Sequence, residues 1–195
     1  MESTSLSLLD RLRGSPTPDD WSRLVRVYEP LIRGWIRRQG VQEHDAADLT
    51  QEVLSSVVRE MPRFEYDPAR GRFCSWLRTI TLNRLRAFWK TQARHTSVTI
   101  ESGFESKLIE LADPNSGLSQ QWDREHDAHL LRQAMAAVRT EFKPATWEAF
   151  DRVVIQGQPV ETAAHELGVT RNVVYIAQSR VLARLREYVR GMCEF

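Results

Sequence analysis

Apolar residues recur every three or four positions along most of the chain, the spacing that places them on one face of an α-helix. This pattern predicts helices over about 21–36, 45–61 and 72–92, and a further helical block that starts near Asp123. The apolar/polar alternation that is typical of a β-strand is confined to 96–100 at most. The sequence therefore predicts an all-α fold.

One segment interrupts this helical pattern and predicts a division into domains. Residues 95–120 contain two glycines, a proline and five serines. Between His95 and Leu130, seven acidic residues stand against only Lys107 and Arg124. We therefore expect two small helical domains, residues 1–94 and 123–195, joined by a flexible acidic linker over 95–122.

The charge of the whole chain is nearly balanced, with 27 Lys plus Arg against 26 Asp plus Glu, but it is unevenly distributed. Residues 68–100 hold seven basic residues and no acid, and residues 170–190 hold five arginines and one acid. Two basic regions around an acidic one indicate two surfaces for polyanionic partners. Ordinary solvated helix faces are the alternative explanation.

The clearest local motif lies in the second helical block. Pro159 suits the first turn of a short helix over 160–167, Gly168 suits a sharp turn, and Thr170 can cap the next helix. On that next helix four apolar residues share one stripe: Val174, Ala177, Val181 and Leu185. This arrangement predicts a helix-turn-helix, while a simple αα-hairpin with a charged solvent face is the alternative.

The other faces of this second helix carry polar and basic residues that suit duplex DNA. Polar residues near a helix N-terminus can reach base edges in the major groove, and arginines farther along can hold phosphates. The candidate DNA-binding residues are Arg171, Asn172, Tyr175, Ser179, Arg180 and Arg184.

The composition argues against an enzyme, a metalloprotein or a membrane protein. No run of about 18 uncharged apolar residues is present, and the first residues lack the apolar core of a secretion signal. Cys74 and Cys193 lack paired metal-ligand spacing, and His126 with His129 lacks an apparent third ligand. We expect a cytoplasmic protein with no catalytic site, no cofactor and no metal.

Two motifs in the first half resemble those of a known family. They are Asp48-Leu49-x-Gln51-Glu52-Val53 and Phe73-x-x-Trp76-Leu77-x-x-Ile80-x-x-Asn83. The stretch 45–90 resembles the second domain of bacterial sigma factors, and the helix-turn-helix resembles their fourth domain. The pairing of these domains in so short a chain is similar to the extracytoplasmic-function (group four) RNA polymerase sigma factors of the sigma-seventy family, over about 21–190.

The resemblance implies partners and site residues. The motif residues Asp48, Leu49, Gln51, Glu52 and Val53 would bind the β′ clamp of core RNA polymerase. A second set would hold the melted non-template strand of the promoter −10 element: Asn83, Arg84, Arg86, Lys90 and Arg94. The helix-turn-helix would bind the −35 duplex and the β flap, and an anti-sigma factor is a further candidate partner.

The recognition helix departs from the family pattern, and other functions stay open at this point. Where many family members carry two basic residues, this chain has only apolar residues and a tyrosine, over 173–177. The family's −35 base contacts therefore do not transfer. A stand-alone helix-turn-helix regulator with an N-terminal sensor or dimerisation module is the alternative, and a helical interaction protein such as an anti-sigma partner is a third class.

Overall fold

The computed structural model describes residues 8–64, 73–96, 113 and 115–192, and within these ranges the chain is all-α, as predicted. The helices there are α1 (Leu8–Arg13), α2 (Pro18–Arg38), α3 (Glu43–Glu60), α4 (Phe73–Thr96), α5 (Gly117–Arg139), α6 (Pro144–Phe150), α7 (Val160–Glu166) and α8 (Arg171–Met192). A 3-10 turn, Met61–Arg63, follows α3, and a π-helical turn, Asp151–Ile155, follows α6. None of the helices in these ranges is both long and apolar enough to cross a membrane.

The start of α2 is fixed by a capping box. The Thr17 Oγ1 accepts a hydrogen bond from the Asp20 backbone N–H at 3.3 Å, and the Asp20 carboxylate accepts one from the Thr17 N–H at 3.0 Å. Asp20 also accepts a hydrogen bond from Arg11 Nε at 2.8 Å, which joins α1 to α2. These hydrogen bonds, from Thr17 first and Arg11 next, lower the pKa of Asp20 from 3.8 to about 2.

The start of α3 differs from the sequence prediction. The sequence pattern predicted a helix from about residue 45, but Gln42 occupies the cap position and Asp45 lies in the first turn. Glu43, the first residue of α3, forms ion pairs with Arg33 and Arg37 of α2. The helix therefore begins where its first carboxylate meets the preceding helix, a tertiary contact that local capping rules do not include.

The described residues divide into two compact units, one ending at His129 and the other spanning Leu130–Met192. The N-terminal unit is built on α2, α3 and α4, whose inward residues form its core. The largest fully buried side chains of these three helices are Tyr28, Leu24, Ile32, Ile36, Leu77 and Leu85.

The first half of α5 also belongs to the N-terminal unit. The helix starts at Gly117, earlier than the start expected near Asp123. Trp122 is only 1% exposed and meets the Trp35 ring edge-on, with ring centroids 4.9 Å apart. Most of the predicted linker, residues 97–112, lies outside the described residues, but 117–122 is helical.

The C-terminal unit packs the rest of α5 with α6, α7 and α8. Its core residues are Ala134, Val138, Trp147, Phe150, Val181 and Leu185. The Trp147 and Phe150 rings lie 5.3 Å apart, which fixes α6 inside this core. The result is a small helical body in which α8 supplies Val181 and Leu185 to the core.

Candidate polymerase-binding and DNA-binding surfaces

The exposed side of α3 carries an acidic and amide-bearing surface. Asp48, Gln51, Glu52 and Ser55 are all exposed, and their spacing of three and four residues places them on one side of the helix. We call these four residues the acidic face. Asp48 lies 3.3 Å from the His44 imidazole, while Glu52 forms no ion pair with any described residue.

Two of the five residues expected to bind the polymerase do not belong to this face. Leu49 and Val53 are 3% and 0% exposed, because they point into the core of the N-terminal unit. Their apolar side chains hold α3 in place and leave no surface for a partner. The motif thus combines outward recognition residues with inward packing residues, and helical periodicity separates the two groups.

Arg84 connects α4 to α3. Its Nε and Nη2 donate hydrogen bonds to the Ser56 Oγ at 3.1 and 2.8 Å, and Ser56 in turn donates to the Glu52 backbone carbonyl at 2.8 Å. Ser56 is buried, so the Nε and Nη2 groups of Arg84 are already hydrogen-bonded inside the N-terminal unit. Arg84, expected to contact the −10 strand, therefore links α3 to α4 by hydrogen bonds.

Beside Arg84, α4 presents a surface without acidic residues. Asn83 and Lys90 are exposed, Arg86 is half-buried, and the Asn83 amide forms no hydrogen bond with any described residue. Thr79 is exposed one turn before Asn83, a position that sequence reasoning did not select. We call Thr79, Asn83, Arg86 and Lys90 the basic face; the side chain of Arg94 lies outside the described part.

The aromatic residues next to this surface pack against one another. The Trp76 ring lies 4.7 Å from the Phe64 ring and 5.5 Å from the Phe73 ring, measured between centroids. Such aromatic pairs stabilise a core beyond the area they bury. The cluster thus anchors the start of α4 and leaves Asn83 on the outer side.

In the C-terminal unit, α7 and α8 are joined by a short turn at the place where the sequence predicts a helix-turn-helix. Gly168 has φ +64°, the left-handed conformation that the sharp turn needs. The Thr170 Oγ1 accepts a hydrogen bond from the Val173 N–H at 3.4 Å and caps α8. The predicted apolar stripe is buried throughout: Val174, Ala177, Val181 and Leu185.

The outer side of α8 carries most of the predicted duplex-binding residues. Arg171, Asn172, Tyr175, Ser179 and Arg180 are all exposed. Arg171 is not wholly available, because its Nη1 lies 3.4 Å from a Glu161 carboxylate oxygen. Sequence reasoning missed two exposed neighbours, Val173 and Ile176, which helical periodicity would have placed on the same side.

Arg184, also a duplex-binding candidate, forms ion pairs with two carboxylates of the C-terminal unit. Its Nε and Nη2 lie 2.5 and 3.0 Å from the two carboxylate oxygens of Glu141, and its Nη1 lies 2.9 Å from Glu187. These bonds lower the pKa of Glu141 and raise the pKa of Arg184. Two carboxylates thus compensate its charge, and Arg184 braces α8 within the unit.

The buried histidines and cysteine of the N-terminal unit serve packing. His129 Nε2 lies 2.6 Å from the Val27 carbonyl oxygen, and His126 stacks on Tyr28 with ring centroids 5.8 Å apart. Burial, with Asp123 nearby, raises the pKa of the Cys74 thiol, which disfavours a reactive thiolate. Among the described residues, no three His, Cys, Asp or Glu side chains come together as metal ligands.

Part of this sequence matches a known protein-family model, and nearly all of it aligns with a known protein. Residues 24–95, which include all of α3 and nearly all of α4, match the sequence model of sigma-70 region 2. The chain is also 27% identical, over 191 residues, to the ECF RNA polymerase sigma factor SigE of Mycolicibacterium smegmatis, with 96% of this chain and 68% of SigE covered. Residues 24–95 therefore carry a sigma-70 region 2 sequence, and nearly the whole chain is similar to an extracytoplasmic-function sigma factor.

A solved structure, that of CnrH in complex with the cytosolic domain of CnrY, is also similar to this chain. It aligns at 18% identity with a TM-score of 0.37 and covers 94% of this chain and 96% of CnrH.

Proposed function

We propose that this sigma factor binds core RNA polymerase through α3 and opens the promoter −10 element with α4, while α7 and α8 bind the −35 duplex. The observation that carries the proposal is the pairing of two surfaces on adjacent helices. The acidic face of α3 and the basic face of α4 belong to one compact unit, and Ser56 and Arg84 join the two helices. A rigid unit of this kind can hold polymerase on one helix and DNA on the next.

The acidic face suits a basic helical partner. Carboxylates at Asp48 and Glu52, with the Gln51 amide between them, can accept charge-assisted hydrogen bonds from arginine or lysine. The family resemblance names that partner as the β′ clamp of the polymerase. Leu49 and Val53 contribute to this docking only by fixing the position of α3.

The basic face suits a single DNA strand. The Asn83 amide can both donate and accept hydrogen bonds at the edge of an unstacked base, and Lys90 can contact the phosphate backbone. Extruding a base costs a few kcal/mol, which tight binding of the extruded strand offsets. The promoter melts because this surface binds the single strand better than the duplex, with no covalent chemistry.

The remaining partners follow from the C-terminal unit and the linker. The helix-turn-helix binds the −35 duplex and the polymerase β flap. The acidic residues of the predicted linker within 97–112 suit, by their charge, positively charged channels of the polymerase, and an anti-sigma factor is a further partner that regulates access to these surfaces. The region 2 match over residues 24–95 does not favour the stand-alone regulator, because it is a match to a sigma-factor domain and not to a sensor or dimerisation module.

Substitution of Asn83 tests the assignment of the basic face. With holoenzyme on a promoter selected from a randomised library, we expect Asn83→Ala to reduce permanganate reactivity of −10 thymines about tenfold, from lost base-edge bonds worth about 1–3 kcal/mol. Affinity for core polymerase should not change. Thr91→Ala, an exposed change on the same helix, is the control, and an equal loss of melting and core binding by Asn83→Ala would contradict the role.

A further inference from the structure

The first two turns of α8 expose three large apolar side chains. Val173, Tyr175 and Ile176 are 47%, 54% and 49% exposed, although the buried stripe of the same helix already supplies its packing. Valine and isoleucine are β-branched and are weaker helix formers than leucine, lysine or glutamate. At exposed positions they add nothing to helix stability, so an intermolecular contact is the better explanation of their presence.

The surroundings of these residues favour duplex DNA as that partner. Ile176 lies one turn after Asn172 and one turn before Arg180, on the outer side of the helix. No acidic residue occurs between Glu166 and Glu187, so this part of the surface is polar and cationic around its apolar centre. Such charge complements a polyanion.

The chemistry of base edges assigns a role to each side chain. In the major groove an asparagine pairs with the N6 and N7 of adenine, while an apolar side chain contacts the 5-methyl group of thymine. Residues at the start of a recognition helix are the ones that reach base edges. Arg171 and Arg184 are engaged by Glu161 and Glu141, which leaves the apolar residues and Asn172 better placed to read sequence.

We infer that Ile176, with Val173 beside it, selects the −35 element by contact with thymine 5-methyl groups, while Asn172 reads an adjacent adenine. This inference rests on the proposed binding of the −35 duplex by α8. Ile176 is then a specificity-determining residue. The −35 element that this sigma factor recognises has A·T pairs at the positions that Ile176 and Asn172 contact. Arg180 then holds the phosphate backbone.

Uracil provides the test, because it keeps the hydrogen-bonding groups of thymine and lacks only the methyl. A −35 site is selected with holoenzyme from a randomised duplex library, and each dT is then replaced by dU. We expect holoenzyme affinity to fall about fourfold for each contacted methyl, the value of one buried CH₂ group. Ile176→Ala should bind the dT and dU duplexes equally, whereas Ile155→Ala, at an equally exposed apolar residue outside α8, should retain the difference.

The possible outcomes separate this inference from the proposed function. Equal affinity of the unsubstituted protein for dT and dU duplexes, or a retained difference in Ile176→Ala, overturns the role of Ile176 while leaving −35 binding intact. If Ile176→Ala instead weakens core polymerase binding, the patch is a protein-docking surface and the inference is wrong. If selection enriches no −35 sequence at all, the proposed role of α8 in duplex binding fails.

Discussion

Arg78 and Asp123 form an ion pair that joins α4 to the first half of α5. The Arg78 Nη1 lies 3.2 Å from the Asp123 Oδ1 and 3.4 Å from the Ser119 carbonyl oxygen. Arg78 is only 5% exposed, so its charge has lost most of its water. A buried guanidinium is tolerated only with such partners. Asp123, in the acidic stretch of the sequence, is therefore part of the N-terminal unit.

Removal of this partner should destabilise the N-terminal unit. We expect Asp123→Ala to lower the free energy of unfolding by about 2 kcal/mol, because it leaves a buried cation without its carboxylate. Glu125→Gln, on the same helix as Asp123, breaks an exposed ion pair with Arg38 of α2 and should cost less than about 1 kcal/mol. Urea unfolding of both variants measures the difference, and equal losses would contradict the assignment.

Trp122 should be the main apolar contact of this part of α5. We expect Trp122→Ala to cost about 3–5 kcal/mol in urea unfolding, since it removes a buried aromatic ring that contacts Trp35. Gln121→Ala changes an exposed neighbour and should cost less than about 0.5 kcal/mol. Amide hydrogen exchange over 122–129 should increase only in the Trp122 variant. Unchanged exchange there would mean that this segment is not held by the N-terminal unit.

The stability of the N-terminal unit should decrease in mild acid through His126. Burial lowers the pKa of His126 below 6.5, although Asp127 and Asp123 oppose this shift; His129 of the same helix adds to it. From α2, Tyr28 stacks on the ring, and His126 Nε2 has no partner among the described residues. The unfolded chain therefore binds the proton more readily. The contribution of neutral His126 to the free energy of unfolding is complete above about pH 6.5 and is lost as the pH falls below that value.

Urea unfolding across about pH 5 to about pH 8 tests this prediction, in the range where histidine titrates. The free energy of unfolding should fall toward the acid end, and His126→Gln should flatten that slope. His165→Gln, an exposed change in α7, should leave the slope unaltered. If the slope in His126→Gln equals that of the unsubstituted protein, another group is responsible.

Charge reversal on the acidic face should weaken polymerase binding without unfolding the protein. We expect Asp48→Arg combined with Glu52→Arg to reduce affinity for core polymerase at least about tenfold, because like charges then face a basic partner. Glu60→Arg, at the far end of α3, is the matched control for a charge change on this helix. Fluorescence titration of labelled protein with core enzyme gives both affinities, and similar values for the two variants would show that docking occurs elsewhere.

Local patterns in the sequence predicted the parts of the fold that depend on neighbouring residues. The stripe from Val174 to Leu185 and the left-handed Gly168 follow from helical periodicity and turn chemistry, and both were confirmed. The same periodicity, applied strictly, also places Leu49 inside and Ile176 outside. Both positions therefore follow from the sequence alone.

Contacts between distant segments could not be predicted in this way. Trp122 donates its Nε1–H to the Cys74 Sγ at 3.1 Å, across 48 positions of sequence, in a region whose composition is typical of a linker. Arg84 and Arg184 were chosen for their charge, yet each binds a partner in another helix, Ser56 and Glu141. A single sequence shows which side chains are charged, but it does not show which of them are paired with other residues of the folded chain.

Transcription with purified components tests the central claim most directly. The chain is mixed with core RNA polymerase that lacks its own specificity subunit, separated by size exclusion, and assayed for run-off transcripts on a randomised promoter library. Co-elution with the polymerase and transcripts that start downstream of a shared two-part promoter are the predicted result. Independent elution of the two proteins, with no enrichment of any promoter sequence, would contradict the account.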